Sequence, residues 1–209
     1  MNELEKNGFI VHRRALPNDF FEKNRGLTDL DFLVLLSPPE DVFNTEFGPK
    51  QIQNLHHLPI FKSFANVLTE KAGMKNYKIL NMQAFIKYPG YKITSPHQDG
   101  AYFNSPERKI LTFWVPIQDV KKEDSCMHYL SGSHKDGLLE HSNIGTTIRT
   151  RTGATGLSMA YNDVPLENYI PVEMEVGDIL IHDQLCLHFS SKNEGIRPRI
   201  ALTLIIELE

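Results

Sequence analysis

The sequence predicts a mainly β protein with a helical flank at its N-terminus. Three observations carry this. Downstream of Gly73, stretches rich in β-branched and aromatic residues alternate with turn residues for about 130 residues. Upstream, "LPIFKSFANVLTEKAG" places apolar residues at helical spacing. The chain has 209 residues, 41% hydrophobic and 23% charged, which suits one sizeable core.

In chain order, "EKNGFIVHRRAL" reads as a strand after a short helix or turn, and "PNDFFEKNRG", from Pro17 to Gly26, as a short helix. The clearest helix has Pro59 near its start and Gly73 just past its end, with Ile60, Phe61, Phe64, Val67 and Leu68 on one face. "NYKILNMQAFIKYPG" then alternates and ends in a Pro-Gly turn, and "RKILTFWVPIQDV", "GDILIHDQLCLHFSS" and "RIALTLIIELE" follow in the same style. Short strands between turns predict a sandwich or barrel, with the front helices packed on one face. The stretch from Gly137 to Pro171 is the least regular and contains "NIGTTIRTRTGATG", a loop or ribbon placed to cover a site. The expectation is one domain over 1–209. It has a helical and mixed flank over about 1–75, a β core over about 76–209 and a covering segment near 137–171.

Composition excludes several classes. A net charge of -4 gives no global attraction to nucleic acid or anionic membrane. The apolar run "FLVLL", Phe32 to Leu36, is far too short to span a bilayer. The N-terminus is charged from its third residue and lacks a signal-peptide apolar region, so a cytoplasmic protein is expected. Cys126 and Cys186 form no C-x-x-C and read as small buried hydrophobes.

Two stretches raise a metal question. "SPHQDGAYF" carries His97 and Asp99, and "GSHKDG" carries His134 and Asp136, at the same spacing. A non-haem iron centre uses two histidines and one carboxylate. Residues i and i+2 of a strand share a face, so either pair qualifies by spacing, and among nine histidines a chance match is expected. "GSHKDG" is bracketed by glycines and reads as a turn. The first pair follows an extended region and precedes aromatic residues. Further on, His182 and His188 lie in an apolar strand, where a lone histidine is usually a core residue. Here Arg197 and Arg199 follow and open the last strand. A guanidinium entering a β core needs a carboxylate partner, and a dicarboxylate cosubstrate supplies one.

From "NGFIVHRRAL" through "NMQAFIKYPGYKITSPHQDGAYF", "ILTFWVPIQDV", "YLSGSHKDG" and "VGDILIHDQLCLHFSSKNEGIRPRIAL", the chain resembles the phytanoyl-CoA dioxygenase-like family of Fe(II)/2-oxoglutarate oxygenases. The resemblance implies a double-stranded β-helix, a cupin-like jelly roll, behind the helical flank. It implies iron at His97, Asp99 and His188, with 2-oxoglutarate and O2 as cosubstrates and succinate and CO2 as coproducts. It matches Arg199, rather than Arg197, to the 2-oxoglutarate arginine, and Ser190 to a cosubstrate contact. Gln98, Thr112, Trp114, Gln83 and Lys87 are expected in the same pocket. "GSHK" becomes structural, which removes His134 and Asp136 as ligands. Asp99 points to hydroxylation, desaturation or rearrangement rather than halogenation, because family halogenases have a small residue there. Two departures stand out. Glu123-Asp124-Ser125 replaces a Glu-Asn-Gly turn, and little sequence separates the front helix from the core, which argues against an acyl-CoA substrate.

The substrate itself is least legible. Arg149 and Arg151 alternate and fit either recognition of a carboxylate or phosphate on a small molecule or a charged edge strand that blocks aggregation. Tyr161 and Asn162 are further substrate candidates, and His128 fits a core or surface place better than the pocket. The rival functions are a 2-oxoglutarate-independent metal enzyme on a cupin-like barrel and a non-catalytic β-barrel binding module.

Overall fold

The structure, a computed structural model, describes the backbone of residues 3–46, 48–103, 105–149 and 155–209. Its strands are β1 (Phe9–His12), β2 (Val42–Thr45), β3 (Gly48–Ile52), β4 (Tyr77–Lys87), β5 (Thr94–His97), β6 (Ile110–Pro116) and β7 (Met127–Tyr129). They continue as β8 (Ser142–Arg149), β9 (Thr155–Ala160), β10 (Ile170–Val172), β11 (Ile179–Asp183), β12 (His188–Ser190) and β13 (Arg199–Leu208). The helices are α1 (Glu3–Asn7), α2 (Phe20–Lys23), α3 (Leu30–Leu36), α4 (Pro59–Lys71) and α5 (Gly100–Phe103). No helix among the described residues is long and apolar enough to cross a membrane.

A seven-stranded sheet in the order β1-β11-β6-β13-β4-β3-β2 lies beside a four-stranded one in the order β10-β7-β12-β5, and every pairing is antiparallel. This is the mainly β jelly roll that the sequence predicts. The flank differs from expectation. β1, β2 and β3 join the large sheet at its two edges, so residue 75 does not separate helices from core. Of the loop or ribbon expected near 137–171, the structure has the ribbon, because β8 and β9 pair as a separate two-stranded sheet.

Strand alternation sorts the large sheet into two chemically different faces. Leu111, Phe113 and Val115 of β6, Ile179 and Ile181 of β11, Leu202 and Leu204 of β13 and Met82, Ala84 and Ile86 of β4 make one buried apolar cluster with Phe61, Phe64, Ala65 and Leu68 of α4. The intervening residues face the other way. They include Thr112 and Trp114, His182, Arg199 and Thr203, and Gln83 and Lys87, and all are buried. The outer face is therefore the helix-covered core, and the inner face, toward the small sheet, mixes these polar groups with a second apolar cluster that includes Trp114, Leu180 and Ala201. A buried polar face is expensive unless it is hydrogen-bonded or built for a ligand.

The Gly-Asp turn before β11 fixes the entry of the histidine-bearing strands. Gly177 has φ +97, and a Cβ there would meet the Leu16 carbonyl oxygen at 2.7 Å. Asp178 accepts from the Arg14 and Glu175 amides and pairs with Arg13 at 2.6 Å. Gly177→Ala is expected to destabilise the fold by about 2 kcal/mol or more, measured as a lower urea midpoint at unchanged slope.

Candidate metal centre

β5 and β12 are neighbours in the small sheet, and His97 pairs directly with His188 in their register. Their rings lie 4.4 Å apart, both facing inward. Asp99 is two residues past His97, on the same side, just before α5. One ligand atom from each of His97, Asp99 and His188 lies within 4.8 Å of the others. The Oδ1 atom of Asp99 stands 3.7 Å from His97 Nε2 and 3.6 Å from His188 Nε2.

The residues fit a metal ion in tautomer and charge. Nδ1 of His97 is 2.8 Å from the Ser95 carbonyl, and Nδ1 of His188 is 2.9 Å from the Cys186 carbonyl. A carbonyl only accepts, so each ring carries its proton on Nδ1 and turns the Nε2 lone pair toward Asp99. Burial, then the neighbouring His97, holds the His188 pKa well below the usual histidine value, so this ring is neutral and available as a donor. His97 is the most exposed of the three at 12%, and Tyr102 meets its ring edge-on, so the centre opens past His97.

The other oxygen of Asp99 is held from behind. Oδ2 accepts from Thr112 Oγ1 at 2.8 Å and lies 3.2 Å from His182 Nε2, while His182 Nδ1 lies 2.9 Å from the Tyr129 hydroxyl. Thr112 was expected in the cosubstrate pocket, and its hydroxyl is on the carboxylate instead. His182 and Tyr129 were not foreseen as partners of Asp99. The signal was alternation: Met127 and Tyr129 flank His128 on β7, and His182 is directly opposite Thr112 on β6.

A second cluster lies along the inner face. Arg199 of β13 pairs with Lys87 of β4. The Arg199 guanidinium sits over the Trp114 ring, 5.4 Å from its centroid. Its Nε is buried with no hydrogen-bond partner among the described residues. Burial brings its pKa down to about 10. Lys87 donates to the Ser190 hydroxyl at 3.0 Å and to the Ser190 and Ser191 carbonyls. Burial, then Arg199, brings its pKa down to about 6. Neither cation pairs with a carboxylate among the described residues. Ser125 takes φ 68 and donates its hydroxyl to the Ser191 carbonyl. Gln83 accepts from the Gln51 amide at 2.8 Å, and its own Nε2 is buried without a partner among the described residues, as is the Thr203 hydroxyl opposite.

Other expected site residues lie elsewhere. Gln98 alternates with His97 and Asp99 and faces outward. Its amide donates to the Gly137 and Leu185 carbonyls and accepts from the Leu139 amide, so both of its N–H donors are spent within the protein. Tyr161 packs with Tyr169, Leu187 and Phe189 on the outer side of the small sheet. Asn162 is exposed. His128 stacks on Phe189 at 4.4 Å on that same outer side. Arg149 ends β8 with its side chain outside the described atoms, and Arg151 lies outside the described residues. His134 and Asp136 sit in a 3-10 turn, with His134 Nε2 at 3.2 Å from the Glu5 carbonyl, remote in role from the metal cluster. Both cysteines are buried free thiols, as expected.

A jelly roll with a buried pair of histidines and one carboxylate defines the non-haem iron oxygenase class. The chain belongs to the phytanoyl-CoA dioxygenase (PhyH) family, whose model matches residues 4–201. It is 29% identical to phytanoyl-CoA dioxygenase 1 of Oryza sativa subsp. japonica, over 94% of this chain and 72% of that one. The chain spans between 62% and 72% of the length of the first curated relatives it matches. Among solved structures, EvdO2 from Micromonospora carbonacea var. aurantiaca, complexed with 2-oxoglutarate, shares the fold. Its TM-score is 0.74 at 22% identity, over 99% of this chain and 89% of that one. The epimerase SnoN in complex with Fe3+, alpha-ketoglutarate and nogalamycin RO does so at a TM-score of 0.70 and 17% identity, over 99% and 81%.

Proposed function

We propose that this protein is an Fe(II)- and 2-oxoglutarate-dependent dioxygenase that hydroxylates a small-molecule substrate. The observation that carries the reading is the pairing of the His97–Asp99–His188 cluster with the buried Arg199 guanidinium and its neighbour Lys87, neither of which has a carboxylate partner among the described residues. A buried guanidinium is costly without an anion, and burial beside it drives Lys87 toward its neutral amine, which an incoming anion would reverse. A dicarboxylate meets both needs, because one end reaches the metal ligands while the other accepts from Arg199 and Lys87. A 2-oxoglutarate-independent metal enzyme has no use for the second cluster.

His97, Asp99 and His188 would hold the iron, each through one atom. Bound iron and 2-oxoglutarate would supply oxygen activation, with succinate and CO2 as coproducts. Arg199 would donate to the distal carboxylate, with Trp114 fixing the plane of its guanidinium. Lys87 would lend a second donor while the Ser190 hydroxyl turns toward the ligand. Ala201 lies between Arg199 and Thr203 on the same face and leaves room for the methylene chain. Gln83 and Thr203 keep unpartnered polar atoms on that face for the cosubstrate or a polar substrate group. Asp99 fills the position that a halide would need, so oxygen rather than halogen is delivered.

Adding Fe(II) and 2-oxoglutarate without oxygen should give a weak visible charge-transfer band. Its absence from folded, iron-loaded protein would overturn the reading. With oxygen, a metabolite panel scored by succinate release and product mass identifies the substrate. A gain of one oxygen supports hydroxylation, and a loss of two hydrogens redirects the assignment to desaturation.

A further inference from the structure

We infer that His182, oriented by Tyr129, is a positioning residue that keeps Asp99 on the metal through a single oxygen. The inference rests on the metal reading above and goes beyond its ligand set. Oδ2 of Asp99 receives two donors, the Thr112 hydroxyl at 2.8 Å and the His182 ring at 3.2 Å. An oxygen that already accepts two hydrogen bonds is a poor metal donor, whereas Oδ1 points at both Nε2 atoms. A carboxylate held this way takes one coordination position. Three protein donors would then leave open positions for a chelating 2-oxo acid and oxygen. A carboxylate free to rotate could take a second position and displace one of them.

Tyr129 sets which ring nitrogen of His182 does this work. A carboxylate oxygen only accepts, so His182 Nε2 carries the proton. In the neutral ring Nδ1 is then an acceptor, and the Tyr129 hydroxyl 2.9 Å away donates to it. The opposite tautomer would aim a lone pair at Asp99. Tyr129 is fully buried, and Phe9 of β1 stacks on it at 4.6 Å, ring centroid to centroid. Phe9 is also the direct β1 partner of His182. The edge strand contributed by the N-terminal flank thus packs behind the residue that orients the iron carboxylate.

The test is titration of Co2+, an oxygen-stable probe, into metal-free full-length protein, with the visible Co(II) absorption recorded alongside. His182→Ala should weaken Co2+ binding by about 10- to 100-fold and change the Co(II) spectrum. His182→Gln presents an N–H at nearly the same place and should restore affinity to within about threefold of wild type. Tyr129→Phe, which removes one hydroxyl, should weaken binding by about 2- to 10-fold. A folded His182→Ala protein with wild-type affinity and spectrum overturns the inference. Should that variant not fold, Tyr129→Phe decides, and unchanged affinity and spectrum in it overturn the inference equally. If wild-type protein itself takes up no Co2+, the metal reading fails and this inference with it. If wild type binds and the variants match it, only this inference fails.

Discussion

Arg199→Met is expected to weaken 2-oxoglutarate binding by about two to three powers of ten while leaving the fold as stable or more so. The two halves of this result have one cause. Arg199 is 5% exposed, its Nε lacks a hydrogen-bond partner among the described residues, and no carboxylate there faces it. A charge buried in that state lowers the stability of the ligand-free protein, and methionine of similar length restores apolar packing against Trp114. Removing one member of a buried, hydrogen-bonded charge pair costs roughly 2–5 kcal/mol, which sets the loss of affinity. Calorimetry with 2-oxoglutarate and a thermal melt of the same protein measure both halves. Unchanged 2-oxoglutarate affinity would assign Arg199 to structure alone. A large fall in stability would show that the guanidinium is already satisfied in the free protein. Lys87 is a poorer place for this test, because its ammonium already donates to Ser190 and Ser191 and its removal strands those acceptors.

Alternation and turn chemistry made the β core legible from sequence, and the helix beginning at Pro59 was equally plain from its spacing. The flank was harder. β1 is four residues long and half-buried, so nothing in its own pattern says that it extends a distant sheet by pairing with β11. β2, the other edge strand, and β3 beside it are equally short. At the site, spacing placed His97 and Asp99 on one face, and the same period put Gln98 on the other. The expectation that Gln98 touches a cosubstrate overlooked this consequence. Thr112 and Trp114 share a face, yet they serve different groups, because the carboxylate and the guanidinium stand at different heights along it. No local pattern contains that height, which comes from the register of β6 against β11 and β13. His182 was hidden for a related reason. Following the apolar run Ile179 to Ile181 in its strand, it reads as a core histidine, and only the fold shows that its ring reaches a carboxylate 83 residues away.

Two histidine variants separate the equally spaced pairs "SPHQDG" and "GSHKDG". His97→Ala is expected to weaken Fe(II) or Co2+ binding by at least about 100-fold, since it removes one of three donors from a site whose affinity is shared among them. Stability should change little, because His97 is the outermost of the three ligands and its Nδ1 bonds a carbonyl just two residues away. His134→Ala should behave in the opposite way. Its ring bonds the Glu5 carbonyl and fills the space beside Gly8, where a Cβ would lie 2.5 Å from His134 Nδ1. Removing it leaves a void between α1 and the turn after β7, at an expected loss of about 1–2 kcal/mol with metal stoichiometry intact. Metal analysis after dialysis, paired with urea melts of both variants, reads the two effects independently. Metal loss in His134→Ala, or full metal content in His97→Ala, would reverse the assignment. The physical basis of the contrast is the backbone on which each pair sits. His97 ends a strand with Asp99 on the same inward side, across from His188 in the next strand. His134 and Asp136 lie within one 3-10 turn between glycines at φ 84 and 75, where identical spacing brings no third donor to them among the described residues.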